Sequence, residues 1–253
     1  MNSSLRICVC FTLWALIKPY MNRITDWVVD FSHLSFPVNC LGCNNALTSE
    51  EKGICSECVE HFPLTRYWEI PNNAVEKIFW GRINIERACS LMFFNKDGIA
   101  QRLMHKLKYE GKYEVGQMLG ELFARKLIGT PFEKVDMVIP VPLHEKKRRQ
   151  RGYNQCDFIA AGMASVFELS YQTNVVSRIR SNETQTNKGR YERWINVQEL
   201  FRVHRPEVLV NKSVLLIDDV VTTGATLEAC ASALLDVEGL KVYVATIACP
   251  NPF

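Results

Sequence analysis

The sequence has no apolar run long enough to cross a bilayer, little net charge and no convincing signal-peptide cleavage site. The nearest thing to a span is a largely apolar run of ten residues at 8–17. A spanning helix needs about 18–20, so no membrane span is expected. Only Arg6 supplies positive charge ahead of the run, and Lys18 and Pro19 end it without a small-x-small site. Met21 opens a new segment in which Ile24, Trp27, Val28, Phe31 and Leu34 recur at helical spacing. Residues 1–20 therefore read as a mis-called start or a short apolar leader. A formal net charge of +3 removes bulk charge as an argument for nucleic acid, which leaves any such case to local clusters. What is present is ordinary for a globular chain, 47% hydrophobic and 23% charged. At 253 residues it is long enough for one sizeable domain and a small module.

Four of the ten cysteines form two CxxC pairs, Cys40/Cys43 and Cys55/Cys58, with eleven residues between the pairs. Each CxxC can turn two thiolates toward one tetrahedral ion, and Gly42 suits the tight turn this needs. Four sulfurs leave no open coordination position, so the site expected is structural zinc. A pair of disulfides and a redox CxxC are the competing readings. Cys89, Cys156, Cys230 and Cys249 lie in apolar stretches and read as buried small hydrophobes. Reduced thiols point to a cytoplasmic location. Residues 60–80, with Pro63, Pro71, Asn72 and Asn73, read as a loosely structured connector. The expected organisation is a zinc-ribbon module with connector over 21–80 and a main domain over 81–253.

In the main domain, residues 88–94 suit a strand, and Asp97 is placed to cap a helix carrying Ile99, Leu103, Met104 and Leu107. A helix over 115–127 and a buried strand over 135–141 follow, the latter closed by Pro140 and Pro142. Residues 144–155 then read HEKKRRQRGYNQ, with Lys146, Lys147, Arg148, Arg149 and Arg151 inside six positions. Such a run is often only a solvated loop. At the carboxyl end of a strand it can also grip pyrophosphate bidentately or track a nucleic-acid backbone, with Tyr153 to stack on a base. The sequence leaves these open. A helix over 156–167 and a strand over 175–179 come next. The polar stretch 180–196 suits a lid or an irregular loop, and a last strand runs over 241–248. Strands alternating with helices argue an α/β fold with a parallel sheet flanked by helices.

The most informative stretch is VLLIDDVVTTGAT, residues 214–226. Its four apolar residues suit a buried strand, and a helical pattern follows from Leu227. The polar cluster thus falls in a strand-to-helix turn, where open α/β sheets bind ligands. Backbone N–H groups opening a helix favour an anion, and Gly224 lets the backbone approach a phosphate. The hydroxyls of Thr222, Thr223 and Thr226 add donors. Asp218 and Asp219 would repel a phosphate but would accept hydrogen bonds from a sugar diol beside it. Phosphate at one end and diol at the other describe a ribose 5-phosphate. A bare DD after a strand is otherwise only a solvated cap region.

These thirteen residues resemble the phosphoribosyl pyrophosphate (PRPP) motif of the type I phosphoribosyltransferases. Together with CLGC…CSEC, HKLKYEGKY, VIPVPLHEKKRRQRGYNQ and QT…RYERWINV, they make the chain similar to the ComF competence family over nearly all of its length beyond residue 20. The resemblance implies a type I phosphoribosyltransferase-like fold with a small N-terminal zinc ribbon. It implies that Asp218 and Asp219 take the ribose hydroxyls and are the catalytic pair, with no residue assigned as a general base. Thr222, Thr223, Gly224, Ala225 and Thr226 would hold the 5-phosphate, and magnesium would arrive on the pyrophosphate. Lys106, Arg148, Arg149, Arg151 and Tyr153 are the candidates for pyrophosphate or nucleic-acid contacts. Family members are often named amidophosphoribosyltransferases, but no N-terminal nucleophilic cysteine or glutaminase domain is evident here. The implied role is phosphoribosyl transfer to an unknown acceptor in DNA uptake. The alternative is an accessory protein that binds single-stranded DNA or a competence ATPase.

Overall fold

The computed structural model describes residues 38–51, 53–179 and 200–251. The leader, the helical spacing of 21–34 and the polar stretch 180–196 lie outside the described residues. The chain divides into two compact units, one ending at Val59 and the other beginning at Glu60. In the first, an antiparallel bridge joins Asn39 and Ala46, and a short helix, α1 (Ser56–Glu60), follows the second CxxC pair's first cysteine.

The second unit is a five-stranded parallel sheet. Its strands are β1 (Arg87–Phe94), β2 (Met137–Pro140), β3 (Ser170–Tyr171), β6 (Ser213–Val220) and β7 (Lys241–Pro250), in the order β1-β7-β6-β2-β3. Every neighbouring pair is parallel. Val214, Leu215, Leu216 and Ile217 of β6 are all fully buried, as expected of a strand covered on both faces. The helices are α2 (Ala74–Phe79), α3 (Ile99–Tyr109), α4 (Tyr113–Leu127), α5 (Glu145–Arg151), α6 (Gln155–Phe167) and α7 (Ala225–Leu235). Two short strands, β4 (Val176–Arg178) and β5 (Phe201–Val203), form a separate antiparallel ribbon.

The connections locate the site. From β2 the chain passes through α6 to β3 at one edge, whereas from β6 it passes through α7 to β7 on the other side. Neighbours β2 and β6 therefore send their crossovers in opposite directions. The crevice beyond their carboxyl ends is a topological switch point, the usual ligand position in such sheets. The seat of α6 is fixed by glycine: a Cβ on Gly120 would lie 2.2 Å from the Ile159 carbonyl, and one on Gly162 2.1 Å from the Gln117 carbonyl. Helices α4 and α6 consequently pack backbone to backbone, which sets where the first residues of α6 meet the crevice.

Several local expectations are corrected. The helix after β1 is capped by Gly98, without a side-chain cap, and Asp97 instead sits in the left-handed region at φ 59°. Its N–H donates to Gln101 Oε1 over 2.8 Å, so the polar residue turns the chain and does not cap it. The connector is not loose, because Trp68, Val75 and Phe79 are buried. Asn73 caps α2, accepting from Val75 and Glu76 N–H and donating its amide to the Ala88 carbonyl. The asparagine pair that suggested a turn is a helix start. The basic stretch is likewise helical, as α5, ended by Gly152 at φ 86°. The strand expected near 175–179 pairs with β5 and stays out of the main sheet.

Candidate functional site

Asp218 and Asp219 are carried on the last turn of the ladder, where Asp218 registers with Thr246 of β7 and Val141, just past β2, donates its N–H to the Ile217 carbonyl. Asp219 is buried, and two partners reach the same oxygen: Lys108 Nζ lies 2.6 Å from Oδ2, and Gln155 Nε2 donates to it over 3.0 Å. Lys108 comes from the last turn of α3 and Gln155 opens α6. Removing one partner leaves the buried Asp219 charge uncompensated, which is costly. Asp218 Oδ1 accepts the Asp219 N–H over 2.8 Å and the Cys156 thiol over 3.4 Å. Burial first, and then the negative charge of Asp219, push the Asp218 carboxyl up to about 7. Arg178 of β4 shares this field: burial lowers its guanidinium and the Asp218 charge opposes that.

The turn after β6 is built for close approach. Gly224 adopts φ 76°, and a Cβ there would stand 2.5 Å from Ile78 Cγ2 and 3.1 Å from Phe79 Cε1. Helix α2 thus backs the turn and forces glycine at its apex. Thr222, Thr223 and Ala225 are exposed and Thr226 is half-buried. Helix α7 has no side-chain cap at Gly224, so its first N–H groups are available to an anion; Thr223 Oγ1 meets the Ala225 N–H over 3.5 Å. Arg82 holds the turn from behind, donating to the Thr223 carbonyl over 3.0 Å and pairing with Glu228 of α7.

The predicted basic residues are placed unequally. Arg149 pairs with Glu145 on its own helix and is exposed, while the charge of Arg148 acts on Asp157. Arg151 bonds Gln155, the partner of Asp219, and stacks 5.5 Å over the Tyr109 ring. Tyr153 donates its hydroxyl to the Leu107 carbonyl and meets Tyr113 edge-on at 4.7 Å. The Lys106 carbonyl accepts the Glu110 N–H, and it is Lys108, two residues on, whose side chain reaches the acidic pair. A cavity of about 460 Å³ opens beside that ammonium, with Tyr109, Tyr113, Lys147, Arg151 and Tyr153 among its walls. Lys108, Gln155, Cys156, Arg178 and Arg82 are the site residues that sequence reasoning did not single out. Of these, Gln155 carried a signal: it follows Asn154, whose side chain caps α6 by accepting the Cys156 N–H.

In the first unit, the sulfurs of Cys40, Cys43, Cys55 and Cys58 all lie within 4.8 Å of one another. Tetrahedral Zn–S bonds of ~2.3 Å imply sulfurs about 3.8 Å apart, and Cys43 and Cys55 stand at 3.7 Å. Burial alone would raise Cys40, but N–H donors from Cys43, Cys55 and Gly42 outweigh it and bring the thiol down to about 6. Burial pushes Cys58 well up. Four thiolates this close are tenable only around a cation, so the donor set fits a closed tetrahedral metal site. The four cysteines are free thiols, as are Cys89, Cys156, Cys230 and Cys249, all of which are buried as expected.

Residues 156–251 match the phosphoribosyl transferase domain family. The DNA utilization protein YhgH of Salmonella typhi is 30% identical over 139 residues, 53% of this chain and 60% of that protein. The chain thus spans about 60% of the length of such relatives. Competence protein F of Haemophilus influenzae is 25% identical over 221 residues, 82% of this chain and 96% of that one. The resemblance to the ComF competence family is borne out. Competence protein ComFC of Bacillus subtilis is 25% identical over 144 residues, 56% of each chain. Among solved structures, the glutamine PRPP amidotransferase from B. subtilis complexed with ADP and GMP overlays with a TM-score of 0.40 at 18% identity, over 56% of this chain and 30% of that one. Among the described residues no helix is long and apolar enough to cross a membrane.

Proposed function

We propose that this ComF-like chain binds PRPP with magnesium at the turn after β6 and transfers its phosphoribosyl group to an acceptor. The observation that carries the reading is the position of the acidic pair and the glycine-backed turn together at the switch point between β2 and β6. In this reading the 5-phosphate rests on the N–H groups and hydroxyls of Thr222, Thr223, Gly224, Ala225 and Thr226, and the ribose diol bonds Asp218 and Asp219. The carboxylate oxygens also suit magnesium, a hard cation that takes few protein ligands beside phosphate oxygens. Bound there, the ion would neutralise charge on the departing pyrophosphate. The chain's own contribution is to orient the sugar and place cations at the crevice. As the C1–oxygen bond to pyrophosphate breaks, pyrophosphate leaves with the electron pair. The acceptor's nucleophilic atom bonds C1 and its proton passes to solvent. Structural zinc in the four-cysteine cluster completes the proposal.

The test is thermal unfolding with PRPP and magnesium. At one hundred times Kd a ligand stabilises by about 2.7 kcal/mol, a rise of roughly 5–10 °C for a chain of this size. Wild type should show it and Asp218→Ala/Asp219→Ala should not; equal shifts would remove the assignment. A second reading rests on α5, which has no buried residue and carries five cations. Here the chain serves DNA uptake without transfer, on single strands or beside a partner ATPase; the relatives' names speak only of competence and DNA utilization.

A further inference from the structure

The acidic turn accounts for a donor and leaves the neighbouring cavity unassigned. Its volume, about 460 Å³, suits one small ring compound. Among the described residues that line it there is no carboxylate, whereas Lys108, Lys147 and Arg151 are present. Lys147 has no acidic partner among the described residues, and it is exposed. The remaining wall is largely phenolic, from Tyr109, Tyr113 and Tyr153. These rings are held in place before any ligand arrives. Tyr153 is tied to the Leu107 carbonyl, Tyr113 stacks on Phe158 at 4.8 Å and 18°, and Tyr109 lies under the Arg151 guanidinium. Tyr109 and Tyr113 still keep 68% and 45% of their surface exposed, so ring area remains for a guest.

Lys108 is already paired with Asp219, so Lys147 and Arg151 are the cations that select negative charge, and fixed aromatic faces select a flat ring. Position adds the third element. Lys108 belongs to the cavity wall and is also the ammonium 2.6 Å from Asp219, so the cavity and the acidic pair share one residue. We propose that this cavity is the acceptor subsite, and that the acceptor is a planar aromatic anion of the aromatic carboxylate class. The assignment of the ligand as acceptor rests on the phosphoribosyl reading; the assignment of its chemistry rests on the cavity alone. Lys147 and Arg151 hold the anionic group and the tyrosines hold the ring. Lys108 lies between the two ligands, where its charge can serve either the acceptor or the departing pyrophosphate.

Isothermal calorimetry on the full chain tests this with orotate, nicotinate, quinolinate and anthranilate as ring-plus-charge probes. Uracil supplies the ring without the charge, and inorganic pyrophosphate the charge without the ring. At least one ring-plus-charge probe should bind, uracil should bind at least tenfold more weakly than orotate, and Lys147→Glu should weaken the bound probe at least tenfold. Lys147 is exposed, so its replacement leaves folding intact; Arg151→Gln provides a second variant with the same expected direction. Absence of binding by all four probes, equal binding of uracil and orotate, or displacement of the probe by pyrophosphate each overturns the proposal. Displacement by a single-stranded oligothymidylate overturns it in favour of a nucleic-acid groove. Failure here with a PRPP-induced thermal shift intact removes only the acceptor subsite. Probe binding with no PRPP shift removes instead the phosphoribosyl reading on which the word acceptor depends.

Discussion

The acidic turn after β6 and the basic helix α5 meet through Gln155, and they are constructed in opposite ways. The turn is contiguous in sequence and rigid in place: Asp219 is buried, Asp218 takes a backbone N–H, and Gly224 is pressed against Ile78 and Phe79. Helix α5 is seven residues long with none buried; Arg149 is paired outward with Glu145, while Arg151 turns inward to Gln155. A rigid half that fixes backbone donors and carboxylates suits a ligand part that never varies, such as a ribose phosphate. An exposed half suits contacts that are screened by solvent and adjusted by side-chain movement.

That contrast predicts unequal responses. The largest is expected for Gly224→Val, which places a branched side chain where even a Cβ would stand 2.5 Å from Ile78. Affinity for PRPP with magnesium, followed by calorimetry, should fall at least about a hundredfold, because the turn must move to admit the side chain. A variant that binds within threefold of wild type would show that the turn is not the cradle. A smaller, salt-dependent effect is expected on the basic half. If α5 contacts nucleic acid, Arg148→Gln/Arg149→Gln/Arg151→Gln should weaken single-strand binding and flatten its dependence on log salt by about 0.7 for each phosphate no longer neutralised. Binding that ignores both salt and the substitutions removes the second reading.

A separate effect concerns stability in the absence of ligand. The Asp218 carboxyl titrates near 7 in the folded chain, against about 3.9 when unfolded. Its protonated form is therefore favoured by folding. The stability this gives is present below the unfolded value and is lost as pH rises through the folded one. Asp218→Asn cannot ionise and escapes that loss. The melting temperature of the variant relative to wild type should climb between about pH 5 and pH 8 and then level off. A gap that stays constant across this range would mean that Asp218 is already ionised at pH 5.

Much of the main domain was legible because its strands are short apolar runs and its helices carry clear apolar faces. The turn at 214–226 was the most legible part, since all its chemistry sits on consecutive residues. The partners of that turn were not, and the reason is physical. Lys108, Gln155, Arg178 and Arg82 reach it from α3, α6, β4 and the segment after α2, and only the packed fold brings these segments together. Lys106 was the nearer guess to Lys108, because a two-residue step on a helix changes the facing side while leaving composition unchanged. Asp97 and Asn73 show the same limit at smaller scale. Both are polar residues ahead of a helix, and whether one caps or turns depends on backbone angles that tertiary contacts set.

Whether the turn after β6 holds a ribose phosphate is tested most directly by a crystal of the chain soaked with PRPP and magnesium. Phosphate density is expected against the N–H groups of residues 223–226, with the ribose diol on Asp218 and Asp219. Phosphate density confined to Arg148, Arg149 and Arg151, with the turn and both aspartates untouched, would contradict it.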